Sequence, residues 1–299
     1  MSEAEDVDVA IIGGGPAGLS AALCLGRGQR RVVVLDAGSP RHAVAEGVHN
    51  FLTREGLPPA ELRRVAWEQM AAYPSVRRAT EGPVERLSWD GSRWIVEDAL
   101  GARWRARAAL LATGMIDQHP DIPGYRERWG HGIHHCPFCH GWEVRGTPVA
   151  VLGAGESPVH LGRLLRGWTD DVVVLTNGAT LDDEHASQLR ASGVPVDSRR
   201  VTALTGEGRS LEAIHFDDGT TLARSALFVA TAQRQVPIVE RLGLERTEQG
   251  YVRIDMMMQT SLPMLWAAGD LTSRLQQVIE AAAQGFRAGA MIQAKLTIG

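Results

Sequence analysis

The sequence begins with a strand, a glycine-rich turn, a helix and a second strand, and this succession leaves few choices of fold. Residues Val7–Ile12 form a run rich in β-branched side chains, which is typical of a buried parallel strand. The turn GGGPAG follows at residues 13–18, and then come a helical stretch and a second apolar run, Arg31–Leu35. Parallel strands need a crossover connection, which is usually a helix. The pattern therefore predicts a β-α-β unit and places the chain in the α/β class.

The spacing of the glycines in this unit is that of a dinucleotide-binding turn. Gly13, Gly15 and Gly18 let the chain turn tightly, approach a pyrophosphate and pack the helix against the strand. Asp36 closes the second strand, 21 residues after Gly15, where an acid can bind the hydroxyls of a ribose. Because strand, glycines, helix and acid occur in register, the motif is far more specific than the glycines alone.

A weaker copy of the pattern begins near residue 147. It consists of the strand and turn PVAVLGAG, a helix and the strand DVVVLT. Gly153 and Gly155 are kept, but Pro158 stands at the third glycine position. The strand ends in Thr176-Asn-Gly, with neither an acid for a ribose nor a basic pair for a 2′-phosphate. A nucleotide could bind here, but the residues that would read it are absent from the motif.

The chain ends with the strand LWAAGD and a long helix rich in small residues. This tail delivers Gly269 and Asp270 to the start of the helix, whose N-terminal amides can face a phosphate or a flavin. The order of elements predicts two Rossmann-type dinucleotide-binding domains, the second inserted in the first.

Composition excludes several classes of protein. The 299 residues carry 31 basic and 35 acidic side chains, a net charge of −4, and 44% are hydrophobic, as in an ordinary globular protein, so we expect no nucleic-acid partner. The N-terminus MSEAEDVDVA is acidic where a signal peptide is basic, and three cysteines are too few for a secreted disulfide scaffold, which predicts a cytoplasmic protein. Residues 9–25 are uncharged but glycine-rich and too short to span a bilayer, so we expect no membrane association.

The most informative stretch is HHCPFCH, residues 134–140. Cys136 and Cys139 form a Cys-x-x-Cys motif, which in an α/β chain can cycle between dithiol and disulfide. A zinc site is the alternative, because histidine and cysteine are both zinc ligands, although no second cysteine pair exists in the sequence. We expect no metal. Alternation along the chain should direct one of His134 and His135 toward the pair and the other away from it. Cys24 lies among Ala and Leu and is interpreted as a small buried residue.

With these pieces in view, the chain resembles the low-molecular-weight thioredoxin reductase family of flavoproteins along nearly its whole length. The matching segments are GGGPAG with Asp36, VHNF around Asn50, LLATG at 110–114, CPFC, and AAGD followed by QQVIEAAAQG. The resemblance implies FAD as cofactor and a homodimer. It also implies an FAD-binding domain of residues 1–117 and 246–299, and an NAD(P)-like domain of residues 118–245 that carries the redox pair.

The resemblance also assigns roles to individual residues. Cys139 would lie against the flavin and Cys136 would exchange with substrate. The residues that would surround FAD are Gly13, Gly15, Pro16, Ala17 and Gly18 at the pyrophosphate, Asp36 at the ribose, and Arg41, Asn50, Val84, Thr113, Gly114, Gly269, Asp270, Gln277 and Val278 around the rest of the cofactor. For Arg41, a solvated loop position is an equally good interpretation.

Two departures from the family pattern are informative. Reductases of this family carry an intact nicotinamide turn and a His-Arg-Arg run for the 2′-phosphate of NADPH, whereas this chain has Pro158 and Thr176-Asn-Gly there, which puts NADPH use in doubt. They also place an Asp after the second cysteine, where this chain has His140. A histidine takes and gives protons near neutral pH. Both departures resemble the flavin-dependent dithiol oxidases of gliotoxin, holomycin and romidepsin biosynthesis.

We therefore predict an FAD-dependent thiol–disulfide oxidoreductase in which Cys136, Cys139 and His140 are catalytic. A dithiol, either a small molecule or a thioredoxin-like protein, would be oxidised, and molecular oxygen would accept the electrons. The first alternative is a disulfide reductase that draws electrons from NADPH, NADH or a protein donor such as ferredoxin. The second is a non-enzymatic zinc-binding module on a flavoprotein scaffold. For His140, a role in capping the following helix is the simpler alternative.

Overall fold

The β-branched runs of the sequence become parallel strands because each is buried on both faces. In the computed structural model, which describes residues 4–79 and 82–299, the runs Val32–Leu35, Val149–Leu152, Val172–Leu175 and Ala226–Val229 are buried along their full lengths. Strands covered on both faces read as continuous apolar runs rather than alternating ones.

The described residues form seventeen strands and eight α-helices. The strands are β1 (Glu5–Ile12), β2 (Val32–Leu35), β3 (Val76–Ala79), β4 (Val84–Trp89), β5 (Trp94–Asp98), β6 (Arg103–Leu111), β7 (Ile116–Gln118), β8 (Ile133–His134), β9 (Val149–Leu152), β10 (Val172–Leu175), β11 (Val196–Asp197), β12 (Val201–Thr205), β13 (Ala213–Phe216), β14 (Thr221–Ala223), β15 (Ala226–Val229), β16 (Ala232–Arg234) and β17 (Leu265–Ala267). The helices are α1 (Pro16–Arg27), α2 (Pro59–Met70), α3 (Tyr125–Arg128), α4 (Pro137–His140), α5 (Glu156–Leu165), α6 (Asp183–Ala191), α7 (Pro237–Arg241) and α8 (Val278–Ile298). Short 3₁₀ turns occupy Arg41–Val44 and Asp270–Thr272.

The chain divides into two units, which we call the first unit and the inserted unit. The first unit comprises the residues up to Ala43 together with Asn50–Ile116 and Gln233–Gly299. The inserted unit comprises Val44–His49 and Asp117–Ala232.

The sheet of the first unit has the order β3-β2-β1-β6-β5-β4, with β17 also paired to β6. The β1, β2, β3, β6 and β17 pairings are parallel, and β4 and β5 are antiparallel additions. Ile12 is in register with both Leu35 and Leu111, and Leu111 is in register with Ala267. The segments that follow these strands therefore all emerge at one edge of the sheet, where ligands of such folds bind.

Helices α1 and α8 pack closely in the first unit because α8 carries glycine at their contact. A Cβ atom at Gly285 would lie 2.0 Å from the backbone oxygen of Ala17. One at Gly289 would lie 3.0 Å from the backbone oxygen of Ala21. Any side chain at position 285 would force the two helices apart.

The inserted unit has a parallel sheet of order β11-β10-β9-β15-β8 and a three-stranded antiparallel sheet of β12, β13 and β14. Leu152 is in register with Leu175 on one side and with Val229 on the other. At the edge of the parallel sheet, β8 pairs with β15, so that His134 stands opposite Phe228.

Two Rossmann-type units with the second inserted in the first confirm the predicted fold class. The unit boundaries differ in detail from those predicted. The chain passes back to the first unit between Ala232 and Gln233, whereas the sequence placed this boundary after residue 245. The reason is that α7 belongs to the first unit, where Ile238 and Val239 join the hydrophobic core. In the described part of the chain, no helix is both long and apolar enough to cross a membrane.

Candidate active site

The cofactor residues implied by the sequence meet at the carboxyl edge of the first unit's sheet. The turn at residues 13–15 follows β1, Asp36 follows β2, Thr113 and Gly114 follow β6, and Gly269 follows β17. The amide of Gly13 donates to Leu35 and the amide of Ala112 donates to Ile12, which ties these turns to the strand ends. The structure thus brings together residues that lie far apart in the sequence.

The glycine turn is shaped for a phosphate group. Helix α1 has Gly15 as its N-cap residue and no side-chain cap, so its first amides have no side-chain partner at that position. A Cβ at Gly18 would lie 1.9 Å from the oxygen of Gly13, and one at Gly14 would lie 2.5 Å from the Asp36 carboxylate. A Cβ at Gly15, by contrast, would meet nothing within 4 Å. The turn is therefore closed toward the protein and open at Gly15, which fits the pyrophosphate of FAD.

Asp36 has a partner that sequence reasoning missed. Its carboxylate is only 8% exposed, accepts a hydrogen bond from the Gly38 amide at 3.2 Å, and pairs with the Arg63 guanidinium. Arg63 lies on α2, and its Nε atom is buried without a hydrogen-bond partner. The ion pair compensates the buried carboxylate and fixes its orientation. Nothing in the local sequence around Asp36 points to Arg63.

Arg41 is held at this edge of the sheet by polar contacts and is not a solvated loop residue. Its side chain is 16% exposed, its Nη1 donates to Gln276 Oε1 at 2.7 Å, and it lies 3.5 Å from the Asp270 carboxylate. Gln276 is also bonded to Gln233 at 2.8 Å. Gln276 and Gln233 are further residues that the sequence did not single out.

The remaining implied cofactor residues lie on turns or element ends. Gln277 is the N-cap residue of α8 and Val278 is its first residue. Asn50 adopts a left-handed conformation, with φ of 59°, and its amide donates to Glu55 at 2.8 Å. Val84 begins β4, opposite Asp98 at the edge of the antiparallel strands. Their roles toward FAD stay predictions.

In the inserted unit, Cys136 and Cys139 are joined by a disulfide, with Cα atoms 5.3 Å apart. Cys136 is the N-cap residue of the one-turn helix α4, and the Cys139 amide donates to its sulfur at 3.2 Å. Pro137 stands at the first helical position, where its fixed φ suits the start of a helix. Such an amide bond would stabilise a thiolate at Cys136 after reduction. Cys136 is 7% exposed and Cys139 is half-buried, so exchange at Cys136 requires more access than this sulfur has here.

His140 ends α4 beside the disulfide and contacts two other imidazoles. Its ring stacks on His134, with centroids 4.1 Å apart and planes 19° apart, and meets His49 edge-on at 6.4 Å. His140 Nδ1 is buried without a hydrogen-bond partner. Burial lowers the pKa of His140; Glu143 opposes this shift and His49 adds to it. His140 is therefore neutral at pH 7 and has the state that a proton acceptor needs.

The alternation predicted for the two preceding histidines is seen. His134 is 4% exposed and stacks on His140. His135 instead stacks on Trp129, with centroids 6.0 Å apart. One imidazole therefore faces the redox helix and the other faces away.

The segment Val44–His49 groups with the inserted unit, which the sequence did not indicate. Glu46 Oε1 lies 3.1 Å from His131 Nδ1. His49 Nε2 lies 3.8 Å from the Glu143 carboxylate. His49 and Glu46 are thus part of the acid–base surroundings of His140. His49 lies in the VHNF segment, but the motif does not imply this role.

Two aromatic side chains close in sequence to the disulfide are exposed. Phe138 and Trp142 are 56% and 65% exposed. Phe138 meets Trp168 edge-on at 5.7 Å, and the Arg145 guanidinium lies 3.9 Å from the centre of the Trp142 ring system. Phe138 stands between the two cysteines and Trp142 stands three residues after Cys139, so the redox segment carries exposed apolar surface, a feature of interaction sites.

The second glycine turn keeps part of the phosphate-binding shape but differs from the first turn in its residues and charge. As at Gly15, a Cβ at Gly155 would meet nothing within 4 Å, and the start of α5 has no side-chain cap. Gly153 and Gly155 keep positive φ values, 124° and 91°, and Gly155 is the N-cap residue of α5. However, a Cβ at Gly153 would lie 2.9 Å from Pro158 Cγ, and Glu156 places a carboxylate in the first turn of α5. A negative charge at a helix N-terminus occupies the position that favours an anionic ligand and repels a phosphate.

The side chains that follow β10 also form hydrogen bonds within the protein. Thr176 Oγ1 donates to Ala179 at 2.6 Å, and Asn177 Oδ1 accepts from the Val201 amide at 2.8 Å. Arg199 is engaged by Asp197 and Asp218. Exposed Arg200 lies nearest to this turn, since a Cβ at Gly178 would be 3.8 Å from its guanidinium.

Among residues 4–79 and 82–299, no group of three or more His, Cys, Asp or Glu side chains is arranged to hold a metal ion. Cys136 and Cys139, which the zinc interpretation needs as thiolates, form a disulfide. The geometry gives that interpretation no support.

Comparison with known proteins agrees with this arrangement. The family model described as pyridine nucleotide-disulphide oxidoreductase matches residues 7–285. The chain belongs to that family. It is 33% identical to the thioredoxin reductase tcpT of Claviceps purpurea, over 99% of this chain and 96% of that protein.

Solved structures show the same likeness. The crystal structure of HlmI superimposes with a TM-score of 0.92 at 35% identity, covering 97% of this chain and 92% of that chain. The oxidoreductase from Agrobacterium tumefaciens superimposes with a TM-score of 0.90 at 33% identity, covering 97% of this chain and 98% of that one. The predicted resemblance is confirmed: the protein is a thioredoxin reductase-like disulfide oxidoreductase.

Proposed function

We propose that this disulfide oxidoreductase is an FAD-dependent dithiol oxidase, which closes a disulfide in its substrate and passes the electrons to oxygen. The observation that carries the proposal is the second glycine turn. Pro158 replaces the third glycine, Glu156 places negative charge at the start of α5, and Thr176 and Asn177 are used in internal hydrogen bonds. A site with these features disfavours the phosphates of a nicotinamide dinucleotide, which supports a proposal in which electrons enter from the thiols.

The cysteine pair performs the exchange. In the proposed exchange Cys136, which is 7% exposed, first becomes accessible to substrate. One substrate thiolate then attacks Cys136 Sγ, the Cys136–Cys139 bond breaks, and Cys139 leaves as a thiolate. The second substrate thiolate then attacks the sulfur bound to Cys136, so that the substrate leaves as a disulfide and both cysteines are reduced. The amide that donates to Cys136 Sγ at 3.2 Å stabilises the thiolate released in this second step.

The Gly13–Gly18 turn and Asp36 at the carboxyl edge of the first unit would hold FAD, which would supply a two-electron acceptor for the reduced cysteines that oxygen can reoxidise, with hydrogen peroxide as the product. The fit of this edge to FAD rests on the open position at Gly15 and the uncapped start of α1.

His140 moves the protons. Oxidation of a dithiol releases two protons along with two electrons, and thiols near pH 7 are mostly protonated. Because burial keeps His140 neutral, its imidazole can accept a proton from an incoming thiol. His49 and Glu143 lie next to it and lead toward the surface.

The substrate that suits the surroundings of the disulfide is a small dithiol with an apolar body. Phe138 and Trp142 offer exposed aromatic surface beside the cysteines, and aromatic side chains bind apolar groups with large contact area. A thioredoxin-like protein as substrate is the alternative that the test below separates.

The test is anaerobic reduction of the purified flavoprotein, followed by the absorbance of oxidised flavin. NADPH, NADH, a small dithiol such as dithiothreitol and a reduced thioredoxin are added separately. We expect bleaching by the small dithiol, no bleaching by NADPH or NADH, and peroxide when air is admitted. Rapid bleaching by NADPH would refute the proposal and establish a reductase.

One observation favours that second candidate. The exposed guanidinium of Arg200 lies beside Gly178, at the end of the strand where a 2′-phosphate is read in such folds. If NADPH does bleach the flavin, the Arg200→Ala variant should need a higher NADPH concentration, and its response to NADH should be unchanged.

A further inference from the structure

We propose that His134 is a positioning residue: its neutral ring stacks on His140 and holds that imidazole as an uncharged proton acceptor beside the redox pair. The inference deepens the proposed function and rests on it, since it concerns the group that would take the substrate's protons. No motif assigns His134 this role.

The first support is the geometry of the pair. The two rings are nearly parallel, with centroids 4.1 Å apart and planes 19° apart. Two imidazolium cations stacked at this distance would repel each other strongly in a buried site, so the pair tolerates at most one charge. The stack also fixes the plane of His140, because rotation of its ring would separate the faces.

The second support is the burial of His134. Its side chain is 4% exposed, stands on β8 opposite Phe228 and packs against that ring at 5.5 Å. His134 Nδ1 is buried without a hydrogen-bond partner. An imidazolium there would bury a charged N–H donor with no acceptor, which costs more than leaving a neutral ring nitrogen unpaired. Of the two rings, His134 is therefore the one that stays neutral.

The charged surroundings point the same way. Burial lowers the pKa of His134 well below its usual range, and the imidazoles of His140, His135 and His131 lower it further, against a backbone hydrogen bond with His131 that raises it. The groups around His140 itself are Glu143 and Glu46, which raise its pKa, and His49 and His131, which lower it together with burial. The two carboxylates keep His140 able to bind a proton, while the His134 face excludes water from one side of its ring.

The proposal is tested by nuclear magnetic resonance of the FAD-loaded protein with ¹³Cε1-labelled histidine, titrated from pH 4.5 to 9. The His140 and His134 signals are assigned by their loss in the His140→Gln and His134→Phe variants. In the unmodified protein we expect His134 not to titrate within this range, and His140 to titrate with a midpoint below about 6.5. A His134 signal that titrates near neutrality would overturn the proposal without any variant.

Two substitutions then separate stacking from a merely structural role. His134→Phe keeps a neutral ring against His140, so the His140 midpoint should stay where it is. His134→Ala opens the face of His140 to water, so its midpoint should rise toward about 6.5. An unchanged midpoint in His134→Ala, or equal shifts in both variants, would refute the role. His160→Ala, at an exposed position on α5, is the matched control and should move neither signal.

The readout does not depend on oxidase activity. If NADPH proves to be the electron donor, the proposed function fails while the titration still decides whether His134 keeps His140 neutral. If the titration fails while the thiol-driven bleaching succeeds, the oxidase stands and His134 is only a core residue.

Discussion

Replacing His140 by alanine should slow thiol-dependent reduction of the cysteine pair, and the loss should depend on pH in a calculable way. A thiol with a pKa of about 8.5 is only about 3% ionised at pH 7. A neutral base beside the disulfide removes this limit by taking the thiol proton during attack. Without the base, only the ionised thiol reacts. We therefore expect a rate reduction of about 30-fold at pH 7, which shrinks toward no difference above about pH 9.5, where the thiol is ionised by itself.

The sign of the effect follows from the burial of His140. Because its pKa is lowered from the usual 6.5, the group is neutral at pH 7 and gains a proton only at more acidic pH. The unmodified protein should therefore keep its rate from pH 9 down to below about 6.5, and lose it only when His140 becomes protonated.

The assay is anaerobic stopped-flow bleaching of the flavin by a small dithiol between pH 6 and pH 10, with His160→Ala as the matched exposed-histidine control. A rate that falls by the same factor at every pH would refute the reasoning, because it would show that His140 supports the structure of the site and not a proton transfer. An unchanged rate at pH 7 would do the same.

Three further outcomes are expected. The Cys139→Ser variant should lose bleaching by dithiols while keeping its bound FAD; retained bleaching in the anaerobic spectrum would remove the disulfide from the electron path. Asp36→Ala should weaken FAD binding by about tenfold, because it removes a charged hydrogen-bond acceptor worth about 1.5 kcal/mol. The affinity is measured by fluorescence titration of the apoprotein with FAD. An unchanged affinity would show that the Arg63-paired carboxylate does not touch the cofactor. Gly285→Ala should lower the free energy of unfolding by about 1–3 kcal/mol in urea titration, because its Cβ would lie 2.0 Å from the Ala17 backbone oxygen. An increase of about 1 kcal/mol in the free energy of unfolding, as helix propensity alone predicts, would show that α1 and α8 separate at no cost.

Much of the fold follows from local sequence. The runs around Val9 and Val33 are continuously apolar because both faces of a parallel strand are covered, and Gly13 and Gly18 stand where the backbone comes close to another backbone segment. The cysteine pair and His140 are likewise adjacent in the chain, so their proximity is guaranteed by α4.

The parts that could not be predicted depend on contacts between distant segments. Arg63 reaches Asp36 only because α2 packs near the end of β2, and no spacing rule links the two positions. His49 lies in the VHNF segment beside Asn50, yet its imidazole belongs with the inserted unit and meets His140. The boundary after Ala232, in place of the expected residue 245, arises from the way α7 fills the first unit's core, which depends on packing and not on local propensity.

The central claim, that electrons flow from thiols to oxygen, is tested most directly by the stoichiometry of aerobic turnover. The purified FAD-loaded protein is given a small dithiol in an oxygen electrode without any nicotinamide, and disulfide and peroxide are measured together. We predict one oxygen consumed and one hydrogen peroxide formed for each disulfide closed, with Cys139→Ser inactive. Disulfide reduction that requires NADPH, with no oxygen consumed by the dithiol, would contradict the account.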